Sequence, residues 1–269
     1  QRKYKLIFRN NTVYVTENND YLYVFLSADR GYDDDGILDD IDEEDGLTPY
    51  TPVNTMETAV KILRENPDLG GIRVIGKAPE VTEETVWDLS EFAQAGKNAV
   101  ERWSGQYIDS SGITRTMSSS SPVMCDGPVA VVTGTLTLQN ISLTGKNDAT
   151  LKVSGSLVME AGAYLQGNEN KAKDNSENES WKPGGAIYAD GNAVVTVKSG
   201  AFIINNSAQD GSSIYATGNA LVTVESGADI VTGQKTYKER KDYRPGTLDE
   251  LPRVGSLIYA DGNAQVSFS

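Results

Sequence analysis

The chain contains no histidine, so the commonest general base and one of the commonest metal ligands are missing from any site it builds. It has a single cysteine, Cys125, which excludes an internal disulfide. That thiol reads either as a small buried apolar group or as a reactive nucleophile, and the redox compartment stays open under both readings. No run of roughly 18 or more apolar residues occurs, which excludes a membrane-spanning helix. Cations are scarce as well. The chain sets 24 Lys and Arg against 38 Asp and Glu, and a net charge of −14 opposes a nonspecific grip on nucleic acid phosphates. Neither nucleic acid nor insertion into a membrane is therefore expected. An initiator methionine and a charged-then-apolar leader are also lacking, so the chain reads as a monomeric segment of a longer, processed polypeptide.

Repetition is what the chain has in abundance. The stretch GAIYADGNAVVTVKSGA (residues 185–201) returns as SSIYATGNALVTVESGA (212–228) and begins again as SLIYADGNAQVSFS (256–269). Ile187, Tyr188 and Ala189 recur as Ile214, Tyr215 and Ala216 after 27 residues, then as Ile258, Tyr259 and Ala260 after 44. The 17 extra residues fall in one segment, 233–255. Two weaker copies lie upstream, at 130–145 and 151–167, with turn glycines Gly134 and Gly155 set 21 residues apart. Each copy holds three short segments of period two, separated by glycine corners. In the clearest copy they span 186–189, 193–197 and 201–204. Alternation turns Val195, Val197, Val222, Val224, Val266 and Phe268 inward, and Thr196, Thr223, Gln265 and Ser267 outward.

A three-strand unit of about 21 residues cannot bury its own inner face, but copies stacked at about 4.8 Å form continuous parallel sheets around one core. An antiparallel sandwich would not need equivalent residues in register coil after coil, so the repeat favours a parallel solenoid. Glycine at the corners suits positive φ, and Asn192, Asn219 and Asn263 are placed to stack as an amide ladder. The last copy stops inside a coil, which suggests that further coils follow in the native chain. Upstream, Asn54 and Glu57 predict a helix cap, Met56, Ala59, Val60 and Leu63 fall at helical spacing, and Asn66–Pro67 stops the helix. Residues 4–27 predict two or three antiparallel strands turned at Asn10–Asn11 and Asn18–Asn19.

These residues resemble a family, the pectin-lyase-like right-handed parallel β-helix domains of large surface proteins of Gram-positive bacteria. DGLTPYTPVNTMETAVKIL (45–63) is similar to the opening of such domains, where a turn leads into a capping helix. GIRVIGKAPEVTEETVWDLS (71–90) is similar to a first coil and TGTLTLQNISLTG (133–145) to a later one. The resemblance implies an all-β, right-handed, three-sheet parallel β-helix with an N-terminal capping helix and a small N-terminal antiparallel strand region. On this reading residues 1–50 are a cap region, and residues 51–269 are the β-helix with insertions at 168–184 and 233–255. It further implies an extracellular, cell-surface setting. It is poor for function, since the fold carries lyases, hydrolases, esterases and binding proteins.

The acidic run DRGYDDDGILDDIDEEDG (29–46) supplies −9 of the net charge. Asp33, Asp35 and Asp39 would make it a Ca²⁺ site, resembling the Asp-rich calcium repeats of extracellular proteins. Against this, Gly31 occupies the first ligand position, and a solvated acidic loop accounts for the same residues. The Gly-His-Gly block of the family's polygalacturonases cannot exist without histidine. Asp190 and Asp261 would serve as a glycosidase pair, yet they sit at repeated Asp-Gly-Asn corners where the intervening copy has Thr217, which reads as a turn role. Arg244 and Arg253 do not reproduce the pectate lyase arginine motif. No catalytic residue is assigned.

Ligand-binding candidates come from the insertions. Both leave after the third segment of a coil and so occupy one corner. The second carries Lys235, Tyr237, Lys238, Arg240, Lys241, Tyr243 and Arg244, and the first carries Trp181. Such a set suits sugar stacking, pairing with acidic glycans or anchoring a protein, whereas a plain surface insertion needs none of these. Tyr188, Tyr215 and Tyr259 form an outward row, read either as an aromatic strip for a glycan or as stacking that stabilises the sheet. The expected function is a noncatalytic binding or adhesion domain that contacts a host glycoprotein or glycan. A carbohydrate-active lyase or hydrolase and a structural stalk are the alternatives.

Overall fold

The computed structural model describes residues 5–9, 12–16, 23–28, 46–47, 52–67, 69–103, 106–108, 114–116, 127–173, 179–232 and 257–269. The chain divides into two compact units, one of Gln1–Pro79 with Glu91–Asp126 and the other of Glu80–Ser90 with Gly127–Ser269.

In the first unit, strands Lys5–Arg9 and Thr12–Thr16 pair antiparallel, as the sequence leads one to expect. The next strand, Tyr23–Leu26, departs from the expectation of a third antiparallel partner. It pairs parallel with Gly71–Val74, which pairs parallel with Ala99–Arg102. The reason is burial on both faces: Val24, Phe25 and Leu26 are all fully buried, as in the strands of covered parallel sheets. Phe25 meets Trp103 edge to face at 5.1 Å.

The helix Met56–Glu65 buries Met56, Ala59 and Leu63. Its cap is Thr55, not the expected Asn54. Thr55 has extended dihedrals and its hydroxyl accepts the Thr58 amide N–H at 3.2 Å. Either residue type caps a helix well, and a one-residue shift of frame decides which does so. At the other end the Asn66 side chain donates to the Ile62 carbonyl at 2.9 Å, ahead of Pro67. An exposed ion pair, Arg64 with Glu91 at 2.5 Å, raises the Arg64 pKa through its hydrogen bond and charge.

The second unit is a right-handed parallel β-helix. Sheet A runs in the order Ile258–Ala260, Ile214–Ala216, Ile187–Ala189, Leu151–Val153, Ala130–Val132, Glu80–Val81. Sheet B runs Gln265–Phe268, Leu221–Val224, Val194–Val197, Ser156–Met159, Thr135–Gln139, Glu84–Asp88. Within this unit sheet C holds Asp229–Thr232, Phe202–Asn206, Tyr164–Gln166 and Ser142–Thr144. The weaker upstream copies are therefore true coils. Equivalent residues pair directly: Leu151, Ile187, Ile214 and Ile258 in sheet A, and Leu136, Leu157, Val195, Val222 and Val266 in sheet B. Buried columns of this kind contribute about 1.5–3 kcal/mol per side chain relative to exposure.

Val195, Val197, Val222 and Val224 are buried as their alternation requires. Val266 is only half-buried and Phe268 is 74% exposed, because the strand that carries them has a neighbour on one side alone. The corner glycines act in two ways. Gly191, Gly218 and Gly262 have φ of 62°, 71° and 65°, the left-handed region expected of them. Gly134 and Gly155 have no such φ. They are needed for close approach, since a Cβ on Gly155 would lie 2.1 Å from the Gly134 carbonyl oxygen.

Candidate functional site

Sheet A places its outward middle residues in one unbroken column: Glu80, Val131, Lys152, Tyr188, Tyr215, Tyr259. Ile214–Ala216 pairs directly with Ile258–Ala260, so the long second insertion hides no extra coil between Tyr215 and Tyr259. The three tyrosine rings stack, with centroids 5.4 and 5.3 Å apart and planes within 6° and 12°. Such stacking turns most ring faces toward one another and leaves edges and hydroxyls for solvent. Tyr188 and Tyr215 are half-buried and Tyr259 is 38% exposed. Burial raises the Tyr215 pKa, helped in turn by Asp261, Tyr188, Tyr259 and Asp210, so its hydroxyl keeps its proton to higher pH than a free phenol does.

Below Tyr188 in the same column, Lys152 pairs with Asp148 at 2.7 Å. Beside the column runs the expected amide ladder: Asn219 donates to Asn192 and Asn263 donates to Asn219, each at 3.2 Å. Asp261 accepts the Gly262 N–H at 2.7 Å, the turn role assigned to the Asp-Gly-Asn corners. A second aromatic stack, Tyr164 on Phe202 at 4.4 Å, lies on sheet C.

The two insertions share a corner. One connects Tyr164–Gln166 of sheet C to Ile187–Ala189 of sheet A, and the other leaves after Asp229–Thr232 of sheet C and returns at Ile258–Ala260. The first contains an antiparallel pair that periodicity does not reveal, Lys171–Lys173 with Glu179–Trp181, in which Lys171 faces Trp181. The Lys171 ammonium lies 5.4 Å from the Trp181 ring centroid and 3.3 Å from Glu169. Buried asparagines hold the base of this hairpin. Asn170 donates to the Pro183 and Gly184 carbonyls at 2.8 Å each, and Asn168 donates to the carbonyls of Asp148 and Gly185. Asn206 donates to Leu165 at 2.9 Å and accepts the Asn168 amide N–H at 3.1 Å. These asparagines carry no repeat signal in sequence, since the corner changes length from coil to coil.

Trp181, Tyr188, Tyr215 and Tyr259 thus belong to one corner and the sheet that follows it. Lys235, Tyr237, Lys238, Arg240, Lys241, Tyr243 and Arg244 lie outside the described residues, as do Asp33, Asp35, Asp39 and Cys125. Among the described residues no helix is long and apolar enough to cross a membrane. No protein-family model, curated protein or solved structure matches this chain.

Proposed function

We propose that the chain is a noncatalytic binding domain of a bacterial cell-surface protein, taking a host glycoprotein or glycan on the tyrosine face of sheet A and the adjoining corner. The observation that carries this reading is the in-register row Tyr188, Tyr215, Tyr259, outward-facing and immediately downstream of the corner from which both insertions arise. Phenol hydroxyls and ring edges in a row offer hydrogen bonds and apolar contact together, a combination enriched where proteins bind ligands. Trp181 adds a ring held over a cation. The surface setting rests on the resemblance of residues 45–63 to pectin-lyase-like surface domains.

The test is binding of the chain to an array of mucin glycans, plant polysaccharides and secreted host proteins. Two variants accompany it, one with residues 169–182 and 235–252 shortened and one carrying Tyr188→Phe, Tyr215→Phe and Tyr259→Phe together. Loss of binding in either variant, with the coil intact by circular dichroism, supports the site. Binding untouched by both refutes it. A stalk is the second reading, favoured by the way both the tyrosine stack and the asparagine ladder satisfy themselves along the axis. The absence of any ligand on the array would favour it.

A further inference from the structure

We propose that Tyr215 is a site of oxidative tyrosine–tyrosine coupling, joining covalently to Tyr188 or Tyr259 when the chain meets a peroxidase and hydrogen peroxide. The inference is independent of any ligand on this face. With one cysteine the solenoid has no internal disulfide to tie coil to coil. The structure holds three phenols in adjacent coils with near-parallel rings 5.3–5.4 Å apart. Backbone pairing of Tyr188 with Tyr215 and of Tyr215 with Tyr259 fixes their register, so each ring lies against its neighbour in the next coil.

In the reaction each phenol loses one electron and one proton, giving two tyrosyl radicals. The radicals form a carbon–carbon bond between the ring positions ortho to the hydroxyls. Each ring then sheds the hydrogen from its bonded carbon to the phenol oxygen by tautomerisation. Two electrons and two protons leave in all, and they reduce one peroxide to two waters. Coupling of free radicals is bimolecular and therefore slow in dilute solution. Neighbours already in contact react at a high effective concentration. Tyr215 is the central ring and has a phenol on both sides, so it takes part in either product. Tyr164 supplies an internal control. It stacks more closely, at 4.4 Å, but on Phe202, which has no phenol to couple.

The experiment treats the intact chain, dilute enough to suppress reaction between molecules, with peroxidase and peroxide. Blue dityrosine fluorescence, the mass of the monomer and a peptide map are then recorded. The expected product is a monomer lighter by two hydrogen atoms, with peptides linked through Tyr215 to Tyr188 or Tyr259, and a raised midpoint of thermal unfolding. Tyr215→Phe keeps the ring stack, removes both couplings and should cut the intramolecular yield at least tenfold. Tyr188→Phe should leave only the 215–259 link, and Tyr259→Phe only the 188–215 link. Links that map to other tyrosines, products confined to dimers, or undiminished yield in Tyr215→Phe would each overturn the proposal.

Discussion

Gly155→Ala and Gly191→Ala make the same chemical change at two corners of the β-helix, and the structure predicts very different costs. At Gly191 the φ of 62° is unfavourable for alanine, but an added Cβ meets nothing within 4 Å. The left-handed conformation costs about 1–2 kcal/mol, and reduced freedom of the unfolded chain returns about 0.4–1 kcal/mol, so the net loss is about 1 kcal/mol. At Gly155 the backbone conformation is acceptable and space is the difficulty. The Cβ would lie 2.1 Å from the Gly134 carbonyl oxygen and 2.4 Å from that of Thr133. Both obstacles are main chain, so no side-chain rotation relieves them and the corner must lift from the coil below. Lifting strains the bonds from the Ser156 amide to Gly134, at 2.7 Å, and from the Ser154 and Gly155 amides to Val132, at 2.9 and 3.1 Å. With about 1 kcal/mol for each bond lost and some loosening of Leu157 on Leu136, the cost is about 3–4 kcal/mol. At about 2–4 °C per kcal/mol, Gly155→Ala should melt about 10 °C below the parent and Gly191→Ala about 3 °C below. Thermal and urea unfolding followed by circular dichroism measure both. If Gly155→Ala proved as stable as Gly191→Ala, the close stacking of these corners would be wrong.

Three further perturbations test other parts of the molecule. Leu157→Ala, at a fully buried position between Leu136 and Val195, should cost about 2–5 kcal/mol in urea unfolding, whereas Thr196→Ala on the outward face of the same sheet should cost far less. Asn219→Ala breaks two ladder bonds and Asn263→Ala one, so the first should destabilise by about 1 kcal/mol and the second by about half as much. The unfolded chain ionises the Tyr215 phenol near its ordinary value of about 10, while the folded chain holds it protonated to higher pH. The stabilisation is therefore complete below that value and is lost as pH rises through the folded pKa. Tyrosinate absorbance should show a late-titrating phenol that is lost in Tyr215→Phe, and the urea midpoint of the parent should fall across the same interval.

The solenoid was legible because stacking rewards the same residue at the same place in every coil. Ile-Tyr-Ala, the corner asparagines and the alternating valines each repeat for one geometric reason, and each was found in register. Sequence and structure part where that reward is absent. Tyr23–Leu26 lies close to a hairpin in sequence, and local turn signals such as Asn18–Asn19 suggest a third antiparallel strand. Its actual partner, Gly71–Val74, is remote in sequence, and nothing local announces it. Thr55 and Asn54 differ too little in capping strength for composition to choose between them. The Lys171–Trp181 hairpin has no apolar alternation, and it is anchored instead by Asn168 and Asn170, which bond to main-chain carbonyls that no pattern of side chains reveals.

The tyrosine row was legible as a row, and its packing changes what it can do. A sugar that stacks on an aromatic ring needs an open face, yet the faces between Tyr188, Tyr215 and Tyr259 are occupied by one another. At Tyr215, whose two faces are both covered, a ligand must therefore work through the hydroxyl and ring edge, with Trp181 as the better candidate for face stacking. That division separates the binding and stalk readings by substitution. Tyr215→Phe preserves the stack and removes a hydroxyl, so it should weaken a ligand and leave unfolding nearly unchanged at neutral pH. Tyr215→Leu removes both and should lower stability as well, by the about 0.5–1.5 kcal/mol attributed to each aromatic pair beyond area burial. If Phe and Leu at this position were equally harmless to binding while only Leu destabilised the fold, the row would be a structural seam and the ligand would belong elsewhere on the corner.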